Sequence, residues 1–406
     1  MRPTRSALIT VLASTLLASS LTGCQFGGDS TAGGEIVIAA DLELSGAAAA
    51  VGKGYQRALE LKVEQINESG LLGGRRIRLD VRDNRSDPSE SLRNIGDFTN
   101  DSQVTAIIMG SCSDCAVGAA RTINDKRVPT IALAPATAVA TPVAERRHLF
   151  KLGPNAADSA AAVANELRRR NIRQASLLHT DDEYGQDGLR VITAELDKLN
   201  IELVGTQQIR TTDTDVSQAV RALAEPENDD ENGFEVEEVN PGALLVWTSA
   251  EQAALAADSA AQVDYPGPIF FDAAAAGDLF LTGGSASGTE GVNMVFTQTM
   301  VIDDVIATTP AKAARKQWFR DYTARFGSYY GFSSFAADAV QLIADAVANS
   351  SSGGSVDREA VREVLETTQF DGLSGPIRMT PDNHSGLMPQ ALTMLVSRGG
   401  RWRLAS

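Results

Sequence analysis

Short apolar runs alternate along the chain with longer stretches whose apolar residues recur every three or four positions. Residues 36–40 form the first run, and Ala58, Leu59, Leu61, Val63 and Ile66 follow at helical spacing. Runs at 77–81, 104–109 and 128–133 predict three more strands, with helices over 89–99 and 116–125 between them. After Phe150-Lys151-Leu152-Gly153-Pro154 the alternation restarts. It predicts helix 157–170, strand 175–178, helix 189–199, strand 202–209, helix 216–223, strand 243–247, helix 251–262 and strand 268–271. Helices are predicted over 311–326, 335–348 and 358–367, and closing strands at 377–379 and 392–396. Strands alternating with helices imply α/β architecture with parallel sheets covered on both faces. Two such series in 406 residues, 43% of them hydrophobic, imply two lobes with a cleft between them.

Ligands of open α/β sheets sit beyond the carboxyl ends of the strands. There the run 175–178 gives way to His179-Thr180-Asp181-Asp182-Glu183-Tyr184-Gly185. An aromatic beside a glycine is well placed to cover a small molecule, although an ordinary turn with one exposed tyrosine also fits. Trp247 and Asp272 end two further strands. Trp247 is suited to a lid or to core. Asp272, if it lines a cleft, needs a cationic partner; its plain alternatives are a helix cap and a solvated turn.

The first residues read as targeting rather than fold. Arg2 and Arg5 precede an apolar stretch, 7–17, too short to span a bilayer comfortably. Leu21-Thr22-Gly23-Cys24 resembles a bacterial lipobox, which implies a signal peptide over 1–23 and a diacylated Cys24. Gly, Ser and Thr then make 24–34 a flexible tether to the membrane. A net charge of −16 argues against nucleic acid and against a polybasic membrane surface. Eight acidic and no basic residues between Glu225 and Glu238 read as a solvated loop.

Export would place Cys112 and Cys115 in an oxidising compartment. A C-x-x-C pair is compatible with a local disulfide, a redox motif or half of a zinc site, and the disulfide is the favoured reading. His148, His179 and His384 are scattered without ligand spacing, so neither a metal nor a cofactor is expected. No Gly-x-Ser-x-Gly elbow and no histidine in a triad context appears, which argues against a hydrolase.

Taken in order, several motifs resemble the leucine/isoleucine/valine-binding protein family, the type I periplasmic binding fold that feeds ABC importers. They are Leu44-Ser45-Gly46 with Gly52, Asn67-Glu68-Ser69-Gly70-Leu71-Leu72-Gly73-Gly74-Arg75, the Gly110 loop, and Val128-Pro129-Thr130-Ile131. Ala136-Thr137, Asp182-Glu183-Tyr184-Gly185 and Glu290-Gly291-Val292 complete the set. The resemblance runs from Glu35 to the C-terminus. It implies two Rossmann-like lobes joined by three crossings, near Pro154, Ser287 and Ser385. Lobe one would comprise 35–154 and 287–384, and lobe two 155–286 and 385–406.

The resemblance also implies site residues. Ala136 and Thr137 match the family loop that holds a ligand carboxylate, here one residue shorter than Pro-Ala-Ala-Thr or Pro-Gly-Ala-Thr. Tyr184 matches a cleft tyrosine, and Asp272 sits where relatives that take amino acids place an acid for the α-ammonium group. Ser45 is expected from lobe one and Trp247 from lobe two. The family puts a serine at the helix N-terminus after the third strand. Counting from Gly110 that place falls on Asp114, and counting back from Pro129 it falls on Ser113. Ser113 suits an anion, whereas Asp114 would repel a carboxylate. If Asp114 lines the cleft, the ligand is not a plain α-amino acid.

The function expected is that of a lipid-anchored, monomeric, extracytoplasmic binder that closes on a small polar solute and hands it to ABC permease subunits. A receptor of the same fold coupled to a membrane signalling partner is the alternative.

Overall fold

The computed structural model describes residues 34–225, 241–273, 290–302, 304–350 and 356–405. Five strands form the first sheet: β1 (Glu35–Leu42), β2 (Arg76–Asp83), β3 (Val104–Met109), β4 (Thr130–Ala132) and β5 (Leu149–Lys151). They run parallel in the order β2-β1-β3-β4-β5. β1 and β3 lie inside the sheet, buried on both faces, which is why they read as unbroken apolar runs.

Helices α1 (Ala49–Ser69), α2 (Pro88–Asn100) and α3 (Ser113–Lys126) make the crossovers. α1 buries Val51, Tyr55, Ala58, Leu59 and Ile66, then ends at Gly70, whose φ of 75° is a left-handed turn that glycine accepts without strain. α2 begins where the Asp87 carboxylate accepts from the Ser89 and Glu90 amides, with Pro88 in the first turn.

The rest of the chain supplies helices α4 (Ala156–Arg169), α5 (Glu183–Lys198), α6 (Ser217–Ala224), α7 (Ala250–Gln262), α8 (Pro310–Phe326), α9 (Ser333–Ser350) and α10 (Arg358–Glu366). Its strands are β6 (Gln174–Thr180), β7 (Glu202–Ile209), β8 (Ala243–Trp247), β9 (Ile269–Phe271), β10 (Asn293–Thr297), β11 (Gln369–Asp371), β12 (Pro376–Arg378), β13 (Leu392–Arg398) and β14 (Arg401–Leu404). Seven of these form the second sheet, in the order β14-β13-β10-β9-β8-β6-β7. β6 to β10 pair in parallel, and β13 and β14 close one edge antiparallel. α9 packs on α1 and so returns the chain to the first lobe. Among the described residues no helix is long and apolar enough to cross a membrane.

The alternation expected from the sequence is present, with β5, β11 and β14 as additional strands and three differences that bear on the lobes and the cleft. α5 starts at Glu183 rather than 189, and α3 at Ser113 rather than 116, so both carry their polar first turns into the helix. Residues 377–379, expected as a closing strand, lie partly in β12, which pairs with β11 in a separate hairpin and bridges from Ile377 to Leu387. The third difference concerns the middle crossing. Its expected place near Ser287 lies outside the described residues, but Asn293–Thr297 pairs with β9 and β13. That segment therefore belongs with the second sheet, not with lobe one, and the chain returns to the first lobe only after Thr297. Polar Asn293 hid this strand: it is 1% exposed and its side-chain amide donates to Ile269 O and Gly291 O.

Two crossings meet at Lys151. Its backbone amide donates to His384 O at 2.9 Å, and its carbonyl accepts from Gly386 N at 2.8 Å. The fully buried ammonium donates to Pro135 O at 2.9 Å and to Pro154 O at 3.4 Å. Burial pushes the Lys151 pKa down to about 7, opposed by the Asp187 and Asp158 carboxylates. The unfolded chain therefore binds a proton here more readily than the folded one. The resulting penalty is complete below about pH 7 and fades as pH rises toward 10.5. Stability should rise with pH across this window, by up to about 1.4 kcal/mol per pH unit for one proton. Lys151→Met should remove that slope from unfolding free energies measured by urea titration; an unchanged slope would assign the proton to another group.

Candidate functional site

A cavity of about 250 Å³ lies between the lobes, at the carboxyl ends of both sheets. The first lobe lines it with Tyr55, Ser86, Ser111, Cys112, Ser113, Asp114 and Leu133, and Phe332 closes the same side from the turn before α9. The second lobe lines it with Asp182, Tyr184, Thr211, Ser249 and Gln252.

The first-lobe wall is built around a carboxylate. Glu43 leaves the end of β1 fully buried, and its Oε2 accepts from Ser111 N at 3.0 Å and Ser111 Oγ at 3.2 Å. Its Oε1 accepts from Cys112 N at 3.1 Å and from Asn84 Nδ2 at 3.3 Å. These amides lie just before α3, where helix geometry leaves donors unpaired and favours an anion. Gly110 makes room for it: a Cβ there would fall 2.1 Å from Glu43 Oε2. Burial raises the Glu43 pKa, the Ser111 and Cys112 amides oppose this, and the nearby Asp41 adds to it. Asp41 is buried too and accepts from Ser91 Oγ, Asn84 Nδ2 and Asn94 Nδ2 at 2.5, 3.0 and 2.8 Å.

α3 then turns the next residues toward the cleft. Cys112 caps the helix and is joined to Cys115 by a disulfide, with Cα atoms 5.2 Å apart. Ser113 Oγ accepts from Ala136 N at 3.3 Å, tying the helix to the loop after β4. Asp114 is half-buried and lines the cavity. Its pKa is raised, first by burial and then by Asp182, with Asp181 contributing; the Glu183 amide opposes.

The second-lobe wall is the start of α5. Asp182 caps it, accepting from Gly185 N at 3.0 Å and from Thr180 Oγ1 at 2.6 Å. Tyr184 is 5% exposed, and its hydroxyl has no hydrogen-bond partner among the described residues. The ring leans on Trp247, with centroids 6.2 Å apart. Gly188 lets Trp247 approach, because a Cβ at 188 would meet the indole at 2.2 Å. Trp247 thus props up Tyr184 from the core.

Two hydrogen bonds join the lobes at the rim. Glu183 N donates to Asp114 Oδ1 at 3.3 Å, and Thr137 N donates to Asp187 Oδ2 at 2.7 Å. Of the residues expected to hold ligand, Ser113, Asp114 and Tyr184 line the cavity together. Ser45, Ala136, Thr137, Trp247 and Asp272 lie outside its lining. The Ser45 hydroxyl is exposed and donates to Asp83 Oδ2 at 2.6 Å. Ala136 is buried with its amide on Ser113, and the Thr137 amide is committed to Asp187. Asp272 is buried at the end of β9. Tyr55, Gln252, Phe332 and the Glu43 seat were not singled out from sequence. Glu43 carried one signal: a second acid two residues after Asp41, at the end of a buried strand, needs buried donors. Among the described residues no cluster of three or more His, Cys, Asp or Glu is arranged to hold a metal ion. Cys24 and residues 226–238 of the acidic stretch lie outside the described residues.

Removing the carboxylate leaves buried donors unmet at the start of α3. Glu43→Ala should lower unfolding free energy by about 1–3 kcal/mol in urea titration. A variant as stable as wild type would mean that the seat adds no net stability.

A periodic α/β chain with a two-lobed cleft invites comparison with known proteins. The family model described as periplasmic binding protein matches residues 35–400. No curated protein sequence matches the chain. Among solved structures, an extracellular ligand-binding receptor from Rhodopseudomonas palustris has a TM-score of 0.80 at 22% identity, covering 92% of this chain and 100% of its own. A leucine binding protein from Thermotoga maritima has a TM-score of 0.76 at 18% identity, covering 91% and 98%. An ABC-transporter solute binding protein from Rhodopseudomonas palustris, in complex with 3,4-dihydroxy benzoic acid, has a TM-score of 0.75 at 16% identity, covering 91% and 95%. The match over 35–400, on a fold with two sheets and a cleft between them, shows that the chain belongs to the periplasmic binding protein family that its motifs resemble.

Proposed function

We propose that this chain is an extracytoplasmic receptor that traps a small solute between its lobes and delivers it to an ABC importer. The observation that carries this reading is the cavity itself. Residues from both lobes line it, and rim hydrogen bonds from both lobes cross beside it. A site shared in this way is completed by closure, and hinge closure is how a two-lobed protein couples binding to a change of shape. The named neighbours agree: one is a leucine binding protein, and another is an ABC-transporter solute binding protein. Ser113, Asp114 and Tyr184 are proposed as ligand contacts, joined by Tyr55, Gln252 and Phe332.

The Tyr184 hydroxyl gives the sharpest test, since a buried hydroxyl without a partner is costly until something bonds it. A soluble form lacking residues 1–24 would be screened by thermal shift against a broad panel of small solutes. Binding should raise the melting temperature and shrink the radius of gyration in small-angle scattering. For the solute found, Tyr184→Phe should weaken binding by about 2- to 12-fold, the worth of one neutral hydrogen bond. An unchanged affinity would put the ligand elsewhere.

Anchoring through Cys24 is proposed on the lipobox resemblance, because several acyl chains hold a protein on a bilayer far better than one. Cys24→Ser should leave the chain released or unprocessed in membrane fractionation. Finding it membrane-bound and correctly cleaved would remove the lipid from the account.

A further inference from the structure

We propose that the cavity selects an organic cation, an amine with an apolar body and no carboxylate. This names the ligand class of the same cleft and rests on the reading that the cleft captures a solute.

The first argument is occupancy. The amides of Ser111 and Cys112, just before α3, are two donors of the first-lobe wall suited to an anion, and Glu43 already fills both. A ligand carboxylate arriving at this wall would find the chain's own carboxylate in the seat. Behind it Asp41 adds a second buried acid.

The second argument is charge. Among the described residues no Arg, Lys or His lines the cavity, whereas Asp114 and Asp182 face it from opposite lobes. Glu183 and Asp181 extend the negative field at the rim, and burial and neighbouring acids raise the pKa of both Asp114 and Glu183. An anionic solute would be a further negative charge beside these acids, and the Lys151 ammonium behind the lining is already turned to the Pro135 and Pro154 carbonyls. A cation between Asp114 and Asp182 would instead attract both, cut their joint charge to a single negative one, and relieve the repulsion between them.

The third argument is the shape of the rest. Tyr55, Phe332, Val51 and Leu133 give the cavity apolar and aromatic walls, which suit a hydrocarbon body and the face-on approach of an ammonium. The unpartnered Tyr184 hydroxyl, nine-tenths buried and lining the same space, has an oxygen able to accept from an ammonium.

The test uses the soluble form and matched probes: benzylamine, benzyl alcohol and benzoate, with 3-methylbutylamine, 3-methylbutan-1-ol and 3-methylbutanoate beside them. Affinities are measured by calorimetry near neutral pH at low salt. In at least one series the amine should bind about tenfold or more tighter than the alcohol, and the carboxylate should bind weakest. Asn keeps the helix-capping and accepting geometry, so Asp114→Asn with Asp182→Asn should fold normally and lose most of that preference. A carboxylate or alcohol that binds best, no binding by any of the six, or a preference that survives both substitutions would overturn the proposal. A carboxylate that binds and compacts the chain in scattering would leave solute capture standing. Capture itself falls only if the wider solute panel also fails to bind.

Discussion

A carboxylate taken out of water must be met by donors, and the way Glu43 is met organises the first-lobe wall. Its two oxygens hold the Ser111 amide and hydroxyl, the Cys112 amide and the Asn84 side chain. That fixes the residues between β3 and α3, so the helix begins at Ser113 and its first turn meets the cleft. Ser113 passes the constraint on, holding the loop after β4 through Ala136 N. The Cys112–Cys115 disulfide stiffens the same turn covalently, though a loop this short gains little from chain entropy. What the loop presents to the cavity is Asp114. An internal acid in the anion seat and an external acid at its mouth are two consequences of one packing decision.

The second lobe meets this wall through α5. Asp182 and Tyr184 face the cavity, and Asp187 reaches across to Thr137 N while pairing with Arg190. The Asp187 charge also reaches Lys151, whose ammonium joins the loop before the first crossing to the crossing itself. The rim and the pivot are therefore electrically coupled: a carboxylate that latches the lobes also helps hold a buried lysine charged. Replacing Asp187 would loosen the latch and make the pivot lysine easier to neutralise.

Much of the fold was legible because buried parallel strands and amphipathic helices leave different periods in the sequence. Where that failed, the reason is physical. β10 carries Asn293 at its start, and its amide is satisfied by neighbouring carbonyls rather than by water, so polarity misreported its burial. The helix starts at Ser113 and Glu183 were hidden because their first turns are polar for capping and for the cleft. At the site, strand-end reasoning found Tyr184 and the family resemblance supplied Ser113 and Asp114, all on the first turns of α3 and α5. The resemblance also pointed to Thr137 and strand ends to Trp247, whose donor and ring are committed to Asp187 and Tyr184 respectively. Phe332 and Gln252 reach the cavity from distant parts of the chain, and no local pattern marks that convergence.

Closure of such a cleft sets opposing terms against each other. The rim bonds Thr137–Asp187 and Glu183–Asp114 each pair a backbone amide with a carboxylate, worth about 1.5–3 kcal/mol when well formed. Against them stands the approach of Asp114 to Asp182 and Glu183, which adds to burial, the larger cause, in raising the pKa of Asp114 and Glu183. Were the bonds alone present, the chain would shut without ligand and capture nothing. Were the repulsion alone present, it would not shut at all. On the proposed reading, a solute that changes the charge between the lobes tips this contest toward closure.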